Sequence, residues 1–176
     1  TFSYGVQGEI DRALGALASG SVVSTVGAKL ENNSGSLLTE LVVNFYVEQW
    51  RLGDLNGADA LEFAYSTDAT SLNSGTWTSV AALNATSPVT TGTAATKLNG
   101  NLADNRAAIS ATIPGLNVAQ GESFWIRWSD KNDPGVDDAL AIDDVVFGAA
   151  VDVPPSLTAS YPANGATDFP ATASLK

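Results

Sequence analysis

The stretch LLTELVVNFYVEQW, Leu37 to Trp50, decides the fold. Leu41, Val43, Phe45 and Val47 alternate with Val42, Asn44, Tyr46, Glu48 and Trp50. Successive side chains of a strand point to opposite faces, so one face here is apolar and the other mixed and aromatic. That asymmetry suits a curved sheet with a packed inner side and a partly open second side. Further along, Phe124, Ile126 and Trp128 repeat the apolar face, with Trp125 and Arg127 opposite.

The rest of the chain reads as more short strands separated by turn clusters, the pattern of an all-β sandwich or barrel. Expected strands are Ser21 to Leu30, Leu37 to Trp50, Ala60 to Ser66, Thr76 to Leu83, Ala107 to Ile113, Ser123 to Ser129 and Ala139 to Phe147. Turns fall at Asn32-Asn33-Ser34-Gly35, Asn56-Gly57, Asn73-Ser74-Gly75, Asn99-Gly100 and Gln120-Gly121. Asn84 to Thr96, rich in Thr, Ala and Gly, reads as a loop over one end, and Asp11 to Ala18 as a single helical turn. Residues 1–148 make one module of two antiparallel sheets, 149–156 a Pro-containing linker, and 157–176 a strand and a half of something further.

Composition narrows the function. The 176 residues carry a net charge of −11 with no basic patch, which argues against nucleic acid or an anionic membrane as a direct partner. Histidine and cysteine are both absent, so Ser-His-Asp and Cys-His arrangements and disulfides are excluded. No apolar run is long enough to span a membrane. The chain opens at Thr1 without an initiator Met or leader, which reads as a processed product or an excised piece. Few charges, abundant small polar residues and strong acidity fit a secreted microbial β-protein.

Six of the 13 aspartates fall in DKNDPGVDDALAIDD, Asp130 to Asp144, answered only by Lys131. So dense a like charge calls for a cation. A hard ion such as calcium, held by some of Asp130, Asp137, Asp138 and Asp143, is one answer; Arg12, Arg51 or Arg127 paired to Asp143 or Asp144 is the other. The run is not an EF-hand, because Pro134 and Ala141 fall where that loop needs side-chain oxygens. Strand alternation sends Asp143 and Asp144 to opposite faces.

Tyr46, Trp50 and Trp125 read as an aromatic platform for sugar rings, against the alternative of ordinary packing. Glu9-Ile10-Asp11 is like the E-x-D-x-E core of sandwich-fold glycanases, but Ala13 and Leu14 stand where the third carboxylate belongs, so no catalytic set is read there.

Taken together, DRALGALASGS (Asp11 to Ser21), VEQWRLG (Val47 to Gly53), LEFAYSTDA (Leu61 to Ala69), FWIRWSDKN (Phe124 to Asn132) and DDALAIDDVVF (Asp137 to Phe147) resemble a bacterial extracellular module. That module occurs beside immunoglobulin-like and lamin-tail-like domains in secreted nucleases, phosphatases and surface proteins. The closing AIDDVVF is also similar to the last strand of jelly-roll carbohydrate-binding modules and MAM-type adhesion domains. The resemblance implies a jelly-roll β-sandwich, a secreted host, and a structural calcium to which Asp143 contributes; it implies no catalysis. The tail LTASYPANGATDFPATASL resembles the opening of a bacterial immunoglobulin-like domain. The expected function is a non-catalytic, calcium-stabilised extracellular module recognising polysaccharide or a cell surface. The alternatives are a fibre or surface-assembly subunit that self-associates by donating its C-terminal strand, and an accessory domain of a secreted nuclease or hydrolase.

Overall fold

The computed structural model describes residues 1–18, 22–53, 57–130 and 136–149. The segment read as a linker beyond Ala149, the tail read as the opening of an immunoglobulin-like domain, and Lys131 lie outside the described residues. Eleven strands are present among the described residues: β1 (Phe2–Tyr4), β2 (Ala13–Ala16), β3 (Thr25–Glu31), β4 (Leu38–Leu52), β5 (Ala60–Ser66), β6 (Thr78–Ser79), β7 (Ala85–Thr86), β8 (Thr96–Lys97), β9 (Arg106–Val118), β10 (Ser123–Asp130) and β11 (Ala139–Ala149).

They form two antiparallel sheets, as the alternation predicts. One runs β1-β2-β11-β4, with β8 and β9 sharing the far edge of the long β4; the other runs β3-β10-β5, with β6 and β7 sharing the far edge of β5. The inner faces meet where the sequence places them. Val43 and Val47 of β4 are fully buried, as are Leu61 and Phe63 of β5 and Phe124 and Ile126 of β10. Trp128 sits between Phe45 and Phe63, edge-on to both at 5.1 and 5.0 Å, so its indole ties the two sheets together. Its N–H donates to the Leu83 carbonyl at 3.1 Å, so the indole nitrogen is not left stranded by burial.

Two expectations are corrected. Asp11 to Ala18 is not a helical turn: Ala13–Ala16 is a strand pairing β1 on one side and β11 on the other. Gly15 permits this, because a Cβ there would overlap the backbone of Leu140 and Ala141 across the ladder. Thr76 to Leu83 is not one strand but a two-residue strand followed by the 3-10 turn Ala81–Leu83. At the other end, β11 continues through Ala149, one residue into the segment read as linker.

Candidate functional site on the outer face of the larger sheet

The mixed parity of β4 faces outward, and here the sequence delivers chemistry. Trp50 lies against Tyr4 of β1, ring centroids 5.9 Å apart and nearly parallel at 18°. Ala13, Ala139 and Ala141 pack beneath them, small enough to let both rings lie close to the sheet. Gly100 closes the other side; a Cβ there would overlap the indole of Trp50. The result is an open cavity of about 470 Å³ with Tyr4 and Trp50 as its aromatic wall and Ser3, Arg51, Thr96 and Lys97 around it. The Tyr4 hydroxyl donates to the Ala16 carbonyl at 3.3 Å. Burial, and then the charge of Asp130, push its pKa up to about 12, so the ring is neutral at any working pH.

Beside this cavity lies a charged patch. Trp50 Nε1 donates to Glu48 Oε2 at 3.2 Å, and Glu48 is completely buried. Its other oxygen faces Arg106 Nε at 3.8 Å, near enough for charge attraction and too far for a hydrogen bond. Arg106 in turn donates to Asp144 at 3.0 Å and lies 3.9 Å over the Tyr46 ring. Burial, then the neighbouring Asp143, raises the pKa of Glu48. Burial also raises that of Asp143, against the pull of a hydrogen bond from the Asp144 backbone N–H.

Asp143 and Asp144 do not point to opposite faces. The register between β11 and β4 slips by one residue between Asp143 and Val146, and Asp144 adopts φ 51°, its N–H donating to Asp143 Oδ1 at 2.8 Å. This bulge re-aims the second carboxylate, so both serve the outer face, and one arginine pairs with Asp144 while its charge also acts on Asp143. That arginine is Arg106, which the sequence did not single out. Arg51 donates instead to the Asp137 carbonyl, Arg12 to Ser3, and Arg127 to the Leu72 carbonyl while covering Trp77.

The proposed platform is not assembled as read. Tyr46 and Trp50 share the outer face of β4, but Trp125 belongs to β10, paired with Lys29 and Ser66 in the other sheet. Trp50 is 6% exposed, so it acts as the back wall of the cavity and is also a packing residue. Its stacking partner is Tyr4, on a strand of three residues that is too short to read from the sequence.

Nor are Asp130, Asp137, Asp138 and Asp143 brought to one point. Asp138 and Asp143 are about 16 Å apart along an extended chain, while the oxygens of one calcium site lie within about 5 Å of each other. Asp138 is buried at the end of the sandwich, where its oxygens accept from Gln49 Nε2 at 2.9 Å, the Gly53 N–H at 2.6 Å and the Ser87 hydroxyl. Its own N–H donates to Asp59. Asp130 is buried at the same end, on the strand residue opposite Leu61, and Asp137 is half-buried with its carbonyl held by Arg51. Carboxylate oxygens saturated by protein donors do not fit the role of ion ligands for Asp138. Among the described residues no group of three or more acidic, His or Cys side chains is placed to hold a metal. Glu9 and Asp11 are exposed on the turn before β2, Asp11 accepting from Asn101 at 3.0 Å.

No family model, curated protein or solved structure matches the chain.

Proposed function

We propose that this sandwich is a non-catalytic ligand-binding module of a secreted or cell-surface protein, and that it recognises polysaccharide through the Tyr4–Trp50 cavity. The observation that carries the reading is the aromatic wall itself. Two nearly parallel rings border an open hollow of about 470 Å³, rimmed by hydroxyl and cationic side chains. Sugar rings present apolar faces bordered by hydroxyls, and such a hollow offers both halves of the complement. A jelly-roll connectivity is part of the same proposal, and the order β1-β2-β11-β4 facing β3-β10-β5, with first and last strands in one sheet, supports it.

The test is a panel of soluble and insoluble polysaccharides against the wild type and Tyr4→Ala, a half-buried residue whose loss opens the wall while leaving the main core intact. Binding by the wild type that weakens at least tenfold in the variant supports the reading. A blank panel ends it. Calcium bracing is proposed for the acidic sequence run Asp130 to Asp144; residues 131–135 lie outside the described part. A melting temperature that rises with calcium and falls with chelator supports it, and coincident curves end it.

A second reading has an observation of its own. β2 pairs β11 only from Leu140 to Ile142, so from Asp143 onward the described ladder leaves one edge of β11 open. Val145, Val146 and Phe147 are exposed there, beside an apolar cavity of about 210 Å³ that reaches Ile126, Trp128 and Ile142. Such an edge accepts a donated strand from a neighbouring subunit and supports the fibre or surface-assembly role. Light scattering on the full chain decides this: a monomer at high concentration rules it out.

A further inference from the structure

We infer that the Tyr4–Trp50 cavity selects an anionic sugar, one whose ring stacks on the aromatic wall while its carboxylate or sulfate lies between Arg51 and Lys97. The inference deepens the polysaccharide reading and rests on it. Its own observation is the β4–β8 register, in which Arg51 and Lys97 stand directly opposite each other. Directly opposed like charges destabilise a ladder, because their Cβ atoms lie about 5 Å apart. Among the described residues neither cation forms an ion pair, although the chain carries 19 carboxylates against eight Lys and Arg. Among the described residues, the charged side chains around the cavity are these two cations, and no carboxylate lines it. An acidic protein that places two opposed cations on the rim of an aromatic hollow has built a local field opposite in sign to its own net charge. An anion held between the two side chains relieves their repulsion.

The geometry adds direction. Arg51 is anchored by donation from Nη1 to the Asp137 carbonyl at 3.0 Å, which fixes the guanidinium at the rim. Lys97 is exposed, a mobile point charge on the opposite strand. Thr96 and Ser3 supply hydroxyls beside them for the ring's own hydroxyls. Neither cation touches the charged patch of Glu48, Arg106 and Asp144, so that patch does not already neutralise them.

The experiment is affinity electrophoresis of the full chain through gels containing polygalacturonate, its carboxyl-reduced neutral counterpart, dextran sulfate, or uncharged glucan and mannan. Because the protein carries −11, nonspecific attraction to a polyanion is unfavourable and retardation reports a site. The expected result is retardation by a polyanion at least tenfold stronger than by any neutral polymer. It should weaken with added salt and fall about tenfold in Lys97→Gln and in Arg51→Gln, the size of one lost charge-assisted hydrogen bond. Lys97 is exposed, so Lys97→Gln keeps the test valid if Arg51→Gln melts early; circular dichroism checks both folds. The polygalacturonate and dextran sulfate arms tell a carboxylate ligand from a sulfate one. Equal binding of neutral polymers, unchanged in both variants, overturns the anionic selectivity and leaves the polysaccharide reading standing. No retardation by any polymer overturns both.

Discussion

Replacing Asp138 by alanine should cost about 3 to 5 kcal/mol of folding stability. The side chain is 3% exposed and accepts from Gln49, Gly53 and Ser87, which come from β4, the segment after it, and the connection following β7. Removing the carboxylate strands the Gly53 N–H at about 1 to 3 kcal/mol and forfeits two further hydrogen bonds to a charged group at about 1.5 to 3 kcal/mol each, although Gln49 Nε2 keeps the Arg51 and Val89 carbonyls and the Ser87 hydroxyl keeps the Asp59 carbonyl. Water entering the vacated space recovers part of that sum, which brings the net to the figure given. Asparagine in its place should also be costly. An amide can turn its oxygen toward Gln49 and Ser87, but its NH2 then faces the Gly53 N–H, donor against donor. With a urea slope of about 2 kcal/mol/M, the alanine midpoint should fall by about 2 M. The assay is equilibrium urea unfolding followed by tryptophan fluorescence, run in chelator so that no ion contributes. A loss below about 1 kcal/mol would refute the reasoning, since it would mean that the Gly53 N–H finds another partner and the carboxylate is not a latch.

Three further outcomes follow from the packing and electrostatics. Gly100→Ala should destabilise by about 1 to 3 kcal/mol and alter the near-ultraviolet circular dichroism, because its Cβ overlaps the Trp50 indole; an unchanged spectrum contradicts the packing described. Trp128→Ala should cost about 3 to 5 kcal/mol by emptying the junction of Phe45 and Phe63, measured by the same urea assay. Glu48 has its folded-state pKa raised, so its contribution to stability is fully present below the unfolded value and is lost as pH rises through the folded one. The stability of the wild type minus that of Glu48→Gln should therefore fall with rising pH across the acid range, and parallel melting profiles would contradict this.

The sheet faces were legible because burial imposes period-two alternation, and β4 and β10 carry it over seven residues or more. Tyr4 was missed because a three-residue strand has too little period to show, and β2 because Gly15 looks like a breaker until its neighbour strand is in place. Trp125 was grouped with Tyr46 and Trp50 because alternation tells in from out but never which sheet a strand joins. The same blindness hid the Arg51–Lys97 opposition and the role of Arg106, both properties of register across strands far apart in sequence. The Asp143–Asp144 bulge defeated the alternation rule itself. Its one sequence signal is an aspartate pair, a residue type that tolerates left-handed backbone at little cost.

The most direct test of the Tyr4–Trp50 site is a two-dimensional ¹⁵N–¹H spectrum of the tryptophan indole groups during titration with an oligosaccharide from the best-binding polymer. The four indole N–H groups report from distinct places: Trp50 on Glu48, Trp77 on the Ser74 carbonyl, Trp128 on the Leu83 carbonyl in the core, and Trp125 on the opposite sheet. The Trp50 resonance should shift with saturating ligand while those of Trp77, Trp125 and Trp128 stay in place. Movement of Trp125 or Trp77 with Trp50 unmoved would put the ligand on the other sheet and contradict the site.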